Sequence, residues 1–238
     1  MKFDIVLFDA DGTLFDFKTA ERRALTEMLA SIGFTADEGA CRCYHTINEA
    51  LWRRYEHAEI SREELRVGRF RLFLGEMRLS ADPTWCSEEY LSRLAKGADL
   101  LPGAEALCRA LAPHMRLCLA TNGISAVQRE RLSLSPLNGL ISDLFISEEI
   151  GFPKPDIRYF ECVLSHLGAE DRSRVVMLGD SLTADIRGAQ NAGIAACWFS
   201  PDSADPGGVT PDWSVTRLED FIPIALTGRR ESPPTEAE

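Results

Sequence analysis

The sequence predicts an α/β fold with a parallel sheet and a separate all-helical block inserted after the first strand. Short unbroken apolar runs, such as residues 5–8 and 175–178, are typical of parallel strands buried on both faces. From residue 101 onward, helical patterns alternate with such runs. Residues 18–96, by contrast, show helical periodicity, many charges and few β-branched runs. This stretch is too long for an ordinary crossover between parallel strands and therefore indicates a small inserted domain.

Length and composition limit the class of protein. The 238 residues are 45% hydrophobic and 26% charged, which is ordinary for a soluble globular chain with one large domain or two unequal ones. The net charge of −11 argues against a general nucleic-acid binder, because phosphate contacts need clustered Lys and Arg. No apolar run approaches the roughly 20 residues of a membrane span, and the first run starts too early to leave room for a signal peptide. Seven scattered cysteines fit reduced thiols, so we expect a cytoplasmic protein.

The predicted first strand leads directly into Asp9-Ala10-Asp11-Gly12-Thr13. Open α/β sheets bind their ligands at the carboxyl ends of strands, and residues two apart in an extended chain point the same way. We therefore expect Asp9 and Asp11 to face one ligand. Because close carboxylates repel unless they share a proton or a metal, the pair indicates a divalent cation, a reaction, or both. A plain strand end with an Asp-Gly turn remains the alternative for this pentapeptide alone.

The inserted block is expected to contain four helices. An amphipathic pattern stops at Gly33, which is typical of a helix C-terminus, and Ser87 is a candidate N-cap for the last helix. The predicted helices are residues 20–32, 47–57, 62–74 and 87–95, with a loop at 80–84.

The rest of the chain is expected to alternate strands and helices. The predicted strands are residues 116–120, 144–147, 175–178 and 194–199, and the predicted helices are 104–111, 125–134, 157–167, 183–192 and 218–226. Residues 201–211 are rich in Pro, Gly and Asp and are expected to form a loop. Residues 228–238 are expected to be a disordered tail.

Four predicted strands end in polar turns or lead towards one. Each polar residue there is of a type that phosphoryl transfer requires. Asp9 can attack phosphorus as a nucleophile, and Asp11 can protonate the departing oxygen and later take a proton from water. Thr121 and the backbone amides of its turn can hold phosphate oxygens, while Lys154 neutralises their charge. Asp180 supplies a hard oxygen ligand for Mg²⁺. Phosphoryl transfer is therefore the chemistry that this set of residues favours.

Two further polar residues follow Asp180. Asp185 lies one helical turn beyond Ser181, at a spacing that places both side chains on one face of a helix. We expect Ser181 and Asp185 to form an outer shell around the same site.

The order D-x-D-G-T, T-N-G, K-P and G-D-S-x-x-x-D resembles the haloacid dehalogenase (HAD) superfamily of phosphohydrolases, with all four of its motifs in sequence. The resemblance implies a Rossmann-like core with a small helical cap inserted after the first motif. The implied domains are a core of residues 1–16 and 97–227 and a cap of residues 17–96, followed by the tail at 228–238.

The resemblance also implies roles for the site residues. Asp9 would be the nucleophile and Asp11 the general acid and base. Mg²⁺ would be held by Asp9, Asp180 and the main-chain carbonyl of Asp11. The phosphate group would be bound by Thr121, Asn122 and Lys154.

Several stretches are similar, more narrowly, to the bacterial house-cleaning pyrimidine 5′-nucleotidases, among them FDADGTLFDF and ISEEIGFPKPDIRYF. This similarity implies a phosphomonoesterase that hydrolyses nucleoside monophosphates to nucleoside and phosphate. Dehalogenases of the superfamily lack the second acid of the first motif, so Asp11 favours a phosphatase. Phe17 and Phe152 flank the motifs and are candidates for contact with the substrate, since aromatic rings stack on any base.

Other functions stay open at this point. A sugar-phosphate phosphatase or a phosphoglucomutase-like enzyme of the same superfamily would carry both acids as well. A signalling domain that accepts phosphate on an aspartate is an alternative of another class, because receiver domains also combine a strand-end Asp with Thr or Ser and Lys. We expect a monomer or homodimer with a small-molecule phosphomonoester as its substrate.

Overall fold

The computed structural model describes residues 2–57 and 59–229. Within them the chain forms two compact units. An α/β unit contains residues 2–16, 100–125 and 132–229, and a helical unit contains residues 17–99 and 126–131. The helical unit thus extends beyond residue 96, where the sequence placed the end of the inserted block. Most of the tail expected at 228–238 lies outside the described residues.

The helical unit contains α1 (Phe17–Ser31), α2 (Glu38–Glu56), α3 (Arg62–Glu76) and α4 (Pro83–Leu94). α2 begins before the predicted residue 47, because the side chain of Asp37 caps it by accepting the N–H of Ala40 at 2.8 Å. The predicted N-cap Ser87 is wrong, since Ser87 lies inside α4. That helix is capped by Asp82, and Pro83 occupies its first turn, where a missing N–H costs nothing.

The interior of the helical unit combines aromatic packing with a buried polar chain. Four rings pack with centroids 5.2 to 5.6 Å apart, those of Tyr44, Phe70, Phe73 and Tyr90. Beside them the Asn48 amide donates to Glu21 Oε1 at 2.8 Å and accepts from Arg69 Nη1 at 3.0 Å. All three side chains are buried, and Asn48 links the carboxylate of Glu21 to the guanidinium of Arg69.

The α/β unit is built on six strands, β1 (Ile5–Phe8), β2 (Arg116–Thr121), β3 (Asp143–Ile146), β4 (Val175–Gly179), β5 (Ala195–Phe199) and β6 (Trp213–Val215). They form one parallel sheet in the order β3-β2-β1-β4-β5-β6. The predicted α/β fold with a parallel sheet is confirmed. The sequence did not predict β6, because three residues are too few to carry a periodic signal.

The remaining helices are α5 (Ala104–Leu111), α6 (Ser125–Leu134), α7 (Ser147–Ile150), α8 (Ile157–Leu167), α9 (Gly188–Asn191) and α10 (Phe221–Thr227). A π-helical turn, Leu182–Arg187, precedes α9 where the sequence predicted one regular helix. In the part of the chain that the structure describes, no helix is long and apolar enough to cross a membrane.

Packing on both faces of the sheet explains the unbroken apolar runs. In β1, Val6 and Phe8 belong to one apolar cluster and Leu7 belongs to another. Since successive side chains of a strand point to opposite faces, each face of β1 is covered. The register places Phe8 level with Leu119 of β2 and Leu178 of β4. The residues that follow β1, β2 and β4 therefore meet at one edge of the sheet.

Candidate active site

Lys154 holds two buried carboxylates at this edge. Its Nζ donates to Asp9 Oδ1 at 2.7 Å and to Asp185 Oδ1 at 2.6 Å. A third bond goes to the main-chain oxygen of Ala120, the residue before the end of β2, at 2.6 Å. These three bonds use all three donors of the ammonium group. The structure thus brings together Asp9, Lys154 and Asp185, which are far apart in the sequence.

The charges of this cluster perturb one another. Burial raises the pKa of Asp9 well above its usual range, Asp185 and Asp180 raise it further, and Lys154 opposes the shift. Burial by itself would lower the pKa of Lys154, but Asp185 and Asp9 raise it above its ordinary value. Lys154 therefore stays protonated, as its contacts require.

Asp180 follows β4 and is held at both its main chain and its side chain. Its carbonyl oxygen accepts the indole N–H of Trp198 at 2.8 Å, and its Oδ1 accepts the hydroxyl of Thr13 at 3.3 Å. A Cβ at Gly12 would lie 2.6 Å from Asp180 Oδ2, and the φ of Gly12 is +89°, so only glycine fits there. Part of the Asp180 residue is open to solvent, but its carboxylate is largely desolvated. This desolvation and the nearby charge of Asp185 raise the pKa of Asp180 to about 7.

Asp185 is aimed inward by the π-helical turn. The N–H of Ile186 bonds back five residues to the carbonyl of Ser181, and such turns often occur at functional sites. Asp185 Oδ2 accepts the N–H of Ser181 at 3.0 Å, while Oδ1 accepts from Lys154. The Ser181 hydroxyl caps the turn by accepting the N–H of Ala184 at 3.1 Å. Ser181 and Asp185 are thus bonded to each other, and Asp185 is bonded to Lys154, while their role as an outer shell stays a prediction.

The carboxylates offer a donor set that fits a divalent cation. One oxygen each from Asp9, Asp180 and Asp185 lie within 4.8 Å of one another. Mg²⁺ prefers such hard oxygen donors, and its charge would offset the burial and the mutual repulsion that together raise the pKa of Asp9 and Asp180. Both oxygens of Asp185 already accept hydrogen bonds, so Asp9 and Asp180 are the better candidates for direct ligands.

Asp11 lies in the tight turn that follows Asp9. Its backbone pairs with Phe15, and the N–H of Gly12 donates to the carbonyl of Phe15 at 3.1 Å. Asp11 is partly exposed, whereas Asp9 is only 7% exposed.

Thr121 and Asn122 lie at the end of β2. Thr121 Oγ1 accepts the N–H of Gly123 at 2.9 Å, which leaves its proton available to another acceptor. The Asn122 side chain is used in both directions, because it accepts the N–H of Lys154 at 2.8 Å and donates to its carbonyl at 2.9 Å. An anion would therefore meet the main chain of Asn122 rather than its amide.

The two aromatic candidates belong to different units. Phe17 begins α1 in the helical unit. Phe152 is half-buried in the α/β unit, and the guanidinium of Arg158 lies 4.0 Å above its ring. That face of Phe152 is already stacked, so a base would have to use its other face or its edge.

No role was assigned from the sequence to three groups at or beside this site. Thr13 could have been noticed as the last residue of the D-x-D-G-T motif. Trp198 carries no local signal, because it sits in an apolar run typical of a core strand. The glutamates of α7, which contact Ser125, were likewise not singled out.

The sequence matches the family of haloacid dehalogenase-like hydrolases over residues 3–193. It is 36% identical to the pyrimidine 5′-nucleotidase YjjG of Escherichia coli over 222 residues, which cover 93% of this chain and 97% of that protein. It is 37% identical over 203 residues to the pyrimidine 5′-nucleotidase PynA of Streptococcus pneumoniae, covering 84% and 85% of the two chains.

A solved structure supports the same relationship. The HAD-hydrolase YfnB of Bacillus subtilis, crystallised with magnesium, superposes with a TM-score of 0.89 at 34% identity. The match covers 95% of this chain and all of that one (100%).

Proposed function

Because this chain belongs to the haloacid dehalogenase-like hydrolases and is a phosphoric monoester hydrolase, we propose that it hydrolyses pyrimidine nucleoside 5′-monophosphates through an aspartyl-phosphate at Asp9. The substrate class is supported by the two nucleotidases that resemble nearly the whole chain. The observation that carries the mechanism is the contact of Lys154 with Asp9, 2.7 Å long and almost fully buried.

The first half of the reaction transfers the phosphoryl group to the protein. A carboxylate oxygen of Asp9 forms a bond to phosphorus as the bond between phosphorus and the nucleoside oxygen breaks. Asp11 gives its proton to the departing oxygen, and the nucleoside leaves as a neutral alcohol. The Thr121 hydroxyl and the main-chain N–H of Asn122 bind the phosphate oxygens. Lys154 offsets their charge and binds the phosphate by exchanging one of its three hydrogen bonds for a phosphate oxygen.

The second half releases the phosphate. Asp11, now a carboxylate, takes a proton from water as the water oxygen attacks phosphorus. The bond between phosphorus and Asp9 then breaks, which restores the carboxylate and frees inorganic phosphate.

A magnesium ion is part of the proposal. Asp9, Asp180 and the main-chain carbonyl of Asp11 would hold it, with Asp185 and Ser181 in support. When bound, it neutralises the negative charge of the phosphate and of the carboxylates. The donor set described above and the magnesium-bound relative support this assignment.

We further propose that the chain is divided into a catalytic core and a helical cap at residues 17–96. Phe17 and Phe152 would contact the substrate. Seven free thiols support a reducing compartment, the cytoplasm. The protein would act on small molecules, without nucleic acid or membrane partners, as a monomer or homodimer, which light scattering would distinguish.

The test is phosphate release from a panel of nucleoside monophosphates and sugar phosphates, with Mg²⁺ and after its removal by a chelator. We expect pyrimidine monophosphates to be preferred and the rate to fall on the order of 10³-fold or more in Asp9→Asn, which removes the nucleophile. Asp202→Asn, in an exposed loop, is the matched control. Preference for a sugar phosphate would overturn the substrate class and keep the family. A phosphoprotein that accumulates without turnover would favour the signalling alternative.

A further inference from the structure

We propose that Glu148 and Glu149 are positioning residues that hold the first residue of α6, and thereby keep the turn at 121–123 in the shape that receives the phosphate group. This inference rests on the proposed function, because the shape of that turn matters for activity only if a phosphoryl group binds there.

α6 has no cap of its own. The residue before it is Ile124, whose side chain carries no acceptor and makes no capping bond. The first N–H groups of a helix have no partner within the helix and need one from elsewhere. Here Glu148 Oε2 accepts the N–H of Ser125 at 2.8 Å, and the Ser125 hydroxyl donates to the Glu149 carboxylate. Both acids belong to α7, which directly follows β3. The cap of α6 is therefore supplied by the segment that follows the neighbouring strand.

The same stretch of chain, residues 147–154, holds the turn at a second point. Asn122 exchanges two hydrogen bonds with the main chain of Lys154, at 2.8 and 2.9 Å. The turn at 121–123 is therefore tied to the segment that carries Lys154 at two points, one within it at Asn122 and one just after it at Ser125. The tie at Asn122 involves the proposed phosphate-binding lysine, whereas the tie at Ser125 involves no group proposed to touch the substrate. Glu148 can thus be changed without removing a phosphate ligand.

Charge strengthens the tie at Ser125. A carboxylate at a helix N-terminus interacts favourably with the aligned backbone dipoles. Without it, the start of α6 and the preceding turn gain conformational freedom, and the N–H groups that would face the phosphate lose their preset direction. The loss should appear in phosphate binding rather than in the chemical step.

The experiment compares Glu148→Ala and Glu148→Gln with the wild type. We expect Glu148→Ala to raise KM for the nucleotide and the inhibition constant of inorganic phosphate by about tenfold, with kcat changed less than about threefold. The Mg²⁺ concentration for half-maximal activity should stay unchanged, since no metal ligand is touched. Glu148→Gln keeps an acceptor for the Ser125 N–H and should restore both constants to within about threefold of the wild type.

A cap of similar geometry in the helical unit supplies the control. Asp37→Ala removes the acceptor of the Ala40 N–H, which is also 2.8 Å away. It should lower the melting temperature and leave the inhibition constant of phosphate unchanged. If Glu148→Ala behaves like Asp37→Ala, the acids only stabilise the fold and the proposal is wrong.

Ser125→Ala keeps the inference testable if Glu148→Ala does not fold, because it removes only the bond to Glu149. It should raise the inhibition constant of phosphate by about threefold, and no change would contradict the proposal. Calorimetry with inorganic phosphate separates this inference from the proposed function. A wild-type protein that cleaves no nucleotide but binds phosphate would overturn the nucleotidase, while the effect of Glu148 on that binding would still be measured.

Discussion

Lys154 and Asp185 form a buried ion pair, with Nζ 2.6 Å from Oδ1 and side chains only 2% and 1% exposed. The same ammonium group lies 2.7 Å from Asp9 Oδ1. One positive charge therefore compensates two buried carboxylates. Because an unpaired buried charge is costly, the fold and the proposed chemistry both depend on this lysine.

Lys154→Met should damage stability as well as activity. It leaves Asp9 and Asp185 buried without a counter-charge, which costs about 3–5 kcal/mol in free energy of unfolding. Urea denaturation in the presence of a chelator measures this loss, and phosphate release should fall below detection. Lys18→Met, at an exposed position of α1, is the control. An unchanged unfolding midpoint in Lys154→Met would contradict the structure of the cluster.

Gly179→Ala should disturb the site through the backbone. A Cβ at Gly179 would overlap the carboxylate of Asp185, so that side chain must move. We expect a loss of about 1–3 kcal/mol in free energy of unfolding and weaker binding of Mg²⁺ measured by calorimetry. Gly75→Ala, in α3, meets no atom within 4 Å and should instead be neutral or stabilising. Equal behaviour of the two variants would show that Gly179 has no special environment.

Glu21 gives the helical unit a pH dependence that Glu21→Gln should remove. Burial raises the pKa of Glu21 above its ordinary value of 4.5, although His45, Asn48 and Arg69 oppose the shift. The folded state thus binds this proton more tightly than the unfolded chain. The stabilisation is complete below the unfolded pKa and is lost as the pH rises through the folded pKa.

Glutamine cannot titrate, so the free energy of unfolding of Glu21→Gln should improve relative to the wild type as the pH rises from the ordinary pKa of 4.5 through the raised folded pKa. Urea titrations at several pH values measure the difference. The control is Glu27→Gln, at an exposed position of the same helix. A difference between Glu21→Gln and the wild type that is constant with pH, or of opposite slope, would rule out this account.

The thiols should differ sharply in reactivity. Burial raises the pKa of Cys108 and Cys118 to about 12, whereas Cys162 is exposed. Since the thiolate is the reactive form, a thiol-alkylating reagent should label Cys162 in the native protein and spare the other two. Peptide mapping by mass spectrometry measures the labelling, and guanidinium-unfolded protein, in which all cysteines react, is the control. Rapid native labelling of Cys108 would show that its part of the core opens readily.

The confirmed predictions were based on the periodicity of apolar residues and on local sequence motifs. The apolar runs predicted five of the six strands, because a parallel strand covered on both faces must be apolar throughout. Elements without a local pattern were missed or misplaced. β6 is too short, α2 depends on the cap at Asp37, and the π-helical turn at Leu182–Arg187 differs from a helix only in its hydrogen bonding.

The sequence by itself determined the α/β fold, the family and which residue types stand at the strand ends, since each of these depends on the order of neighbouring residues. Only the tertiary structure decided which side chains contact one another at the site. Lys154 meets Asp9 across 145 residues of chain, and Thr13 meets Asp180 across 167. Trp198 reaches the carbonyl of Asp180 because β5 lies beside β4, and Glu148 reaches Ser125 because β3 lies beside β2. Such contacts follow from sheet order and register, which place distant segments side by side and leave no trace in local sequence.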